Sequence, residues 1–271
     1  MIPNARQTWE LRTRQIVLRL FRHPYLRRLQ WPVLRRLLGV RQEQTLLDVG
    51  TGAMAYAIAL RKQADPRVVA IDLVFRQADI MRARRYGVEP IVADACVLPL
   101  PDSTIDYILA SSLVQMVPEP LRLLRECLRV LRPGGHMVLS VPNRYQFLPR
   151  LMKFFPRCIL THLFRLPPTD EELINHLNTR FSVAGPQGYY SSDEIATLLT
   201  SAGFRVIDHE YSPGRFGSLL WELAVLGYVR FGNVAFHVLF LAYPFARLFD
   251  MIAKPTTGSE HIIRIVPIDE H

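Results

Sequence analysis

The sequence predicts an α/β fold: a mostly parallel, seven-stranded sheet with helices on both faces. Three observations carry this reading. From Thr45 onward, short apolar or β-branched runs alternate with helical patterns of roughly 12 residues, the sequence form of βαβ units. Glycine and proline clusters punctuate the junctions. At 271 residues, the chain can bury a large core without a disulfide or metal staple.

The strands can be placed in order. Thr45 to Val49, Arg67 to Ile71, Pro90 to Ala93, Ile105 to Ala110 and His136 to Val141 read as the first five. Helical patterns near Ala53 to Gln63, Phe75 to Tyr86 and Pro120 to Leu131 lie between them. Arg132-Pro133-Gly134-Gly135 stops the last of these helices, because proline cannot continue it and glycine accepts a left-handed cap; the chain then turns directly into strand five. Ser191 or Ser192 caps a helix through Ser201, Gly203 ends it, and Phe204 to His209 follows as strand six. The alternating, β-branched run His261 to Val266 reads as strand seven.

The net charge of +9 resides in one place. Residues 1–41 hold ten arginines against one acid, Glu10, so this arm accounts for the whole charge and the remainder is neutral. Such an arm suits a nucleic-acid backbone or an anionic membrane surface. Arginines interrupt its apolar residues, so it is not read as a secretory signal; its composition also resembles a transit peptide. Cys96, Cys127 and Cys158 are odd in number and widely spaced, which suggests neither a disulfide framework nor a metal site and fits a cytoplasmic, reducing compartment.

The candidate chemistry begins at Leu46 to Met54, where a glycine turn follows the first strand and precedes a helix. Gly50 and Gly52 let the backbone approach a ligand closely, and free N–H groups at the helix start favour polar or anionic groups. In an open α/β sheet this turn lies at the carboxyl edge, where ligands bind. Alone, the glycine pair also fits a purely structural turn. Asp72, 22 positions after Gly50 at the end of strand two, is placed to accept both hydroxyls of a ribose, so the pair indicates a nucleoside-containing cofactor. Its other reading is a cap of the next helix.

In order, Asp48-x-Gly50-x-Gly52, Asp72, Val92-Ala93-Asp94-Ala95, Leu98-Pro99-Leu100-Pro101-Asp102, Ile105-Asp106-Tyr107-Ile108 and Leu128-Arg129-Val130-Leu131-Arg132-Pro133-Gly134-Gly135 resemble the motif set of class I S-adenosylmethionine-dependent methyltransferases. The match is close over Leu46 to Asn143 and looser over Gly188 to Phe204. The resemblance implies a Rossmann-like sheet whose seventh strand runs antiparallel between strands five and six. It implies S-adenosylmethionine as cofactor: Asp48, Gly50, Thr51 and Gly52 around the methionine part, Asp72 at the ribose with Leu73 beside it, and Asp94 with Ala95 at the adenine edge. Ser111 and Ser112 would face the methyl group and substrate. Met54 stands where the family usually has a third glycine, which implies a tighter pocket or weaker affinity. A dinucleotide-binding enzyme shares the strand, turn and acid; the Asp94 signature and the Arg-Pro-Gly-Gly turn argue against it.

Methyl transfer chiefly needs alignment of the nucleophile and exclusion of water. A general base helps when the acceptor is a hydroxyl or an acidic carbon, and His162, His176, Tyr189 and Tyr190 are candidates for it. Each also fits a packing or surface role.

Between strands six and seven the chain inserts about 50 residues, Ser212 to Glu260, where a short hairpin would serve. Phe231 to Ala246 runs 16 residues without a formal charge, short of the roughly 20 needed to cross a bilayer. Both ends return to one sheet, so helices lying in a membrane interface fit better than a crossing, with Trp221, Tyr228 and Tyr243 at headgroup level. In the arm, Trp9, Ile16, Leu20 and Phe21 recur at helical spacing among arginines. The alternative is that both segments pack together or form a homodimer interface.

The sequence thus divides into a basic amphipathic helical arm (1–41), a methyltransferase core (42–211), an apolar helical insertion (212–260) and a last strand with the C-terminus (261–271). The expected function is methyl transfer to an oxygen or carbon of an amphiphilic small molecule, a lipid, quinone or isoprenoid precursor or lipid-linked sugar, by a peripherally membrane-associated enzyme. The alternatives are an RNA-modifying methyltransferase and a non-catalytic, methyltransferase-like partner protein.

Overall fold

The computed structural model describes residues 24–143, 189–220, 223, 241–253 and 258–268. Strands β1 (Thr45–Val49), β2 (Arg67–Asp72), β3 (Val88–Val92), β4 (Ile105–Ser111), β5 (Leu131–Pro142), β6 (Phe204–Tyr211) and β7 (Glu260–Pro267) form one sheet in the order β3-β2-β1-β4-β5-β7-β6. The first five pair in parallel, and β7 runs antiparallel to both β5 and β6. Helices α1 (Pro24–Leu38), α2 (Ala55–Ala64), α3 (Gln77–Arg85), α4 (Pro120–Val130), α5 (Ser192–Ser201) and α6 (Tyr243–Ala253) complete the labelled elements.

The period of two in a strand divides the core into two layers. Leu47 and Val49 of β1 face Leu123, Leu124 and Cys127 of α4 and Ile195 and Leu199 of α5. Leu46 of the same strand faces Leu34 and Leu38 of α1 and Tyr56, Ala57 and Leu60 of α2. Cover on both faces explains why the central strands read as continuous apolar runs.

The second half of the expected arm belongs to this core. Leu34, Leu37 and Leu38 are buried while Arg35 and Arg36 face solvent, and Arg36 pairs with Glu210 on β6. Burying three leucines stabilises the docked helix by about 1.5–3 kcal/mol each. The stripe of Trp9, Ile16, Leu20 and Phe21 lies outside the described residues.

Two boundaries differ from the sequence reading for physical reasons. Strand β3 begins at Val88 rather than Pro90, because as an edge strand it tolerates a proline within it. The Arg-Pro-Gly-Gly segment is not a left-handed helix cap: α4 ends at Val130, and Leu131 is already extended at φ −74. The next four residues bulge out of the β4 pairing, which jumps from Ile105↔Leu131 to Tyr107↔His136, and the left-handed glycine is Gly134 within the bulge (φ +77). At α5 the expected cap forms, with Ser191 Oγ accepting from Glu194 N (3.2 Å) and Ser191 N donating to the Glu194 carboxylate (2.8 Å).

Candidate active site

The sheet's carboxyl edge carries the candidate residues in a row. Gly50 takes φ +65, and a Cβ there would lie 2.5 Å from Leu113 Cδ1, so both conformation and space demand glycine. Gly50 N and Thr51 N donate to Ile71 O of β2 (2.8 and 3.2 Å), and Thr51 Oγ1 donates to the buried Asp48 carboxylate (2.6 Å). Gly52 N donates to Asp72 Oδ2 (2.7 Å), joining the turn to the acid at the end of β2. Asp48, Thr51, Gly52 and Asp72 thus meet as the sequence reading grouped them.

Met54 takes the left-handed conformation (φ 55, ψ 30) that a glycine would accept more easily. Its side chain is wholly buried in the core layer with Leu34, Leu46 and Leu60, so it fills the interior beneath the turn. This left-handed residue also makes α2 start at Ala55 rather than Ala53.

After β3, Asp94 Oδ1 accepts from Cys96 N (2.9 Å), and Ala95 and Cys96 are buried. The segment beyond is held by Arg129 of α4, a residue to which the motif alone gives no role. Arg129 Nη1 donates to Leu100 O (2.9 Å) and Asp102 Oδ1 (2.6 Å), and Nη2 to Leu98 O (3.0 Å) and Glu126 Oε2 (2.8 Å). Glu126 also accepts from Leu98 N (2.9 Å). Hydrogen bonding to Glu126, then to Asp102, raises the Arg129 pKa, and the Arg129 bond lowers that of Glu126. Replacing Arg129 with Met is expected to cost about 2 kcal/mol in denaturant unfolding, since a charge-assisted network is lost and two partly buried carbonyls lose their donor. Affinity for an adenosyl group should fall several-fold in calorimetry as the Asp94 segment loosens.

Ser111 ends β4, and Ser112 takes φ 54. Ser112 N donates to Ser140 Oγ (3.0 Å), and the hydroxyls of Ser111 and Ser140 lie 3.2 Å apart. Ser140 of β5 is fully buried and was not anticipated from sequence. Next to them, Gln115 in the 3₁₀ turn Val114–Met116 is 2% exposed, and its Oε1 has no hydrogen-bond partner among the described residues. Leu73, Val74 and Val92 flank Asp72 and Asp94 with 65%, 77% and 65% of their surface exposed. A site offering carboxylates for hydroxyls and exposed apolar side chains for a flat ring fits an adenosyl cofactor.

On the α1 side, Tyr56 OH donates to Gln30 Oε1 (3.1 Å), Gln30 Nε2 donates to the buried Glu260 carboxylate, and Trp31 stacks on Tyr56 at 5.6 Å. This chain ties α1 and α2 to the start of β7. Tyr190 lies across the sheet, on the α5 side, bridged to Asn143; burial raises its phenol pKa. His261 Nε2 lies 3.1 Å from Tyr190 O and its Nδ1 2.8 Å from His209 Nε2. Since a carbonyl only accepts, the neutral His261 ring carries its proton on Nε2 and accepts from His209. Tyr189 adjoins this group in sequence, half-buried, and His162 and His176 lie outside the described residues. A cleft of about 640 Å³ between Cys96, Val97 and the segment Glu119 to Glu126 contains none of the carboxyl-edge residues and is not the candidate site. Among the described residues no group of His, Cys, Asp or Glu could hold a metal ion.

A β3-β2-β1-β4-β5-β7-β6 sheet with a glycine turn after β1, an acid after β2 and another after β3 defines the class I methyltransferase architecture. Residues 47–139 match the family model described as a methyltransferase domain. The chain is 30% identical over 218 residues to a demethylmenaquinone methyltransferase of Geobacillus kaustophilus, covering 76% of this chain and 88% of that protein. Among solved structures, a S-adenosylmethionine-dependent methyltransferase from Mesorhizobium loti superimposes with TM-score 0.56 at 18% identity, covering 87% of this chain and 96% of that one. Geranyl diphosphate C-methyltransferase from Streptomyces coelicolor gives TM-score 0.56 at 17% identity, with 88% and 80% covered. The chain belongs to the class I S-adenosylmethionine-dependent methyltransferase family. It is a transferase that uses S-adenosylmethionine, and the dinucleotide-binding reading falls away.

Proposed function

We propose that this methyltransferase transfers the methyl group to an oxygen or carbon of an amphiphilic small molecule at a membrane surface, with a demethylated quinone as the best-supported acceptor. The observation that carries this reading is the similarity to demethylmenaquinone methyltransferase over 76% of the chain. The apolar insertion between β6 and β7 supports an acceptor with a hydrocarbon tail. Among the described residues no helix is long and apolar enough to cross a membrane; the 16-residue charge-free run Phe231 to Ala246 is itself shorter than the roughly 20 residues a crossing needs, which supports a peripheral association.

When bound, S-adenosylmethionine supplies an activated methyl group on a sulfonium, which needs no further activation by the protein. The residues of this chain position it and exclude water. Asp72 would accept the ribose hydroxyls, Asp94 and Ala95 would meet the adenine edge, and Asp48 to Gly52 would hold the amino-acid end. Ser111 and Ser112 would face the transfer zone, and Leu73 would lie beside the nucleoside. His162, His176 and Tyr189 are the candidates for taking a proton from the acceptor. Tyr190, whose phenol burial holds protonated, suits donating a hydrogen bond better.

The test is transfer of a labelled methyl group from S-adenosylmethionine to demethylmenaquinone carried in phosphatidylglycerol vesicles, with unmodified transfer RNA as a parallel acceptor. Label in the quinone is the expected result. Label in RNA alone would replace this reading with the RNA-modifying one.

A further inference from the structure

The insertion between β6 and β7 presents a helix whose polar anchor and apolar face are opposed. Asp250 of α6 accepts from Phe216 N (2.8 Å) through Oδ1 and from Gly217 N (2.9 Å) through Oδ2, which fastens α6 to the helical segment 215–220. At about 100° per residue, Phe245, Leu248 and Ile252 project from the opposite side of the helix, roughly 160–220° around from Asp250. They are 66%, 53% and 73% exposed, and Leu241, just before the helix, is 78% exposed. Phe249, 54% exposed, borders the stripe and contacts Phe216 with ring centroids 5.4 Å apart. An amphipathic helix packed on a soluble core turns its apolar side inward. Here the side that faces away from the anchor is apolar, over an area on the order of several hundred Å², the size at which a patch marks an interaction site.

The excursion is also held firmly at its base. Ser218 Oγ donates to Pro213 O (2.9 Å) and accepts from Ser259 N (2.7 Å), and a Cβ at Gly258 would lie 2.2 Å from Pro213 O. These contacts adjoin Glu260, the first residue of β7, beside the carboxyl edge that carries the candidate site. The segment that anchors Asp250 is thereby joined to the sheet at its carboxyl edge.

We infer that this outward face of α6 docks into the hydrocarbon border of an anionic bilayer and sets the site's mouth at headgroup depth. The inference rests on the membrane-surface reading above and assigns the surface that makes the contact. Charge complementarity selects the bilayer over a second copy of this chain: besides Arg36, which pairs with Glu210, residues 1–41 hold nine arginines against Glu10, a charge that would repel an identical arm and attract anionic lipid. Eleven residues span about 16 Å, so α6 lies in the interface rather than through it.

The test is flotation of the full chain with phosphatidylglycerol and phosphatidylcholine vesicles, comparing the parent with Phe245→Ser/Leu248→Ser/Ile252→Ser. The parent should float with phosphatidylglycerol vesicles, and the triple variant should lose at least tenfold in partitioning while melting temperature and S-adenosylmethionine affinity stay unchanged. As an independent readout, Leu248→Trp should add fluorescence that lipids brominated in the acyl chain quench. Equal flotation of parent and triple variant, or an introduced indole that the brominated lipids leave unquenched, overturns the docking face and leaves the membrane reading intact. Failure of the parent to float overturns both. A parent dimer in light scattering that the triple variant dissociates, with no change in flotation, assigns the face to a second copy and overturns the inference.

Discussion

Asp72→Ala is expected to weaken binding of S-adenosylmethionine by about 100-fold or more, read by calorimetric titration. A carboxylate accepting two ribose hydroxyls contributes charge-assisted hydrogen bonds of about 1.5–3 kcal/mol each, and the loss of two corresponds to a factor of at least 100. In the ligand-free protein Asp72 also braces the turn, because its Oδ2 accepts from Gly52 N (2.7 Å) and so fixes the amide direction there. Asp72→Asn keeps an oxygen for Gly52 N while losing the charge, so it should fall between the two, weaker than the parent by about tenfold. Gly52 is exposed, and water can replace the lost acceptor, so the melting temperature of the ligand-free Ala variant should stay within a few degrees of the parent. Unchanged affinity in Asp72→Ala would remove Asp72 from the ribose and leave it as a brace for the turn.

What the sequence made legible is local. The glycine turn, Asp72 and Asp94 each sit at a fixed offset from a strand end, so their shared edge follows from a parallel sheet once β1 to β4 are recognised. The cap of α5 is likewise local: the sequence offers Ser191 or Ser192, and the reciprocal bonds with Glu194 select Ser191. The partners of these groups are set by register between distant strands. Ser140 meets Ser111 only because β4 and β5 pair with Ser111 opposite Ser140. Gln30 reaches Glu260 across 230 residues because α1 packs on the face that β7 shares with β5. Arg129 could have been suspected, being an arginine among apolar helix positions, but its carbonyl partners at Leu98 and Leu100 come from a loop that carries no periodicity. The basic arm misled in part for a related reason: α1 is amphipathic, and its arginines describe only the solvent side of a helix whose leucines are core.

Stability is expected to fall steeply as pH drops from 7.5 to 5, before most carboxylates titrate. Burial pushes the His136 pKa down to about 4, with Arg264 adding to the shift, and burial likewise takes His261 to about 4 with His209 as a minor contributor. Both rings are held neutral, His136 Nε2 facing Leu38 O at 2.9 Å and His261 Nε2 facing Tyr190 O at 3.1 Å. In the unfolded chain each titrates near 6.5. Below that pH the unfolded state takes up protons that the native state refuses until about pH 4, so the contribution is complete above 6.5 and is lost as pH falls towards 4. Each ring accounts for about 2 kcal/mol by pH 5, or about 4 kcal/mol together, a large share of a typical 5–15 kcal/mol. Burial lowers the His209 pKa as well, so its contribution has the same sign. Urea unfolding at pH 7.5 and pH 5 measures the drop, and His136→Leu, which removes one of these rings, should shrink it by about 2 kcal/mol. A flat profile over that window would mean that both rings take up protons in the folded protein as readily as in the unfolded chain, which their buried places beside Leu38 and Tyr190 do not allow.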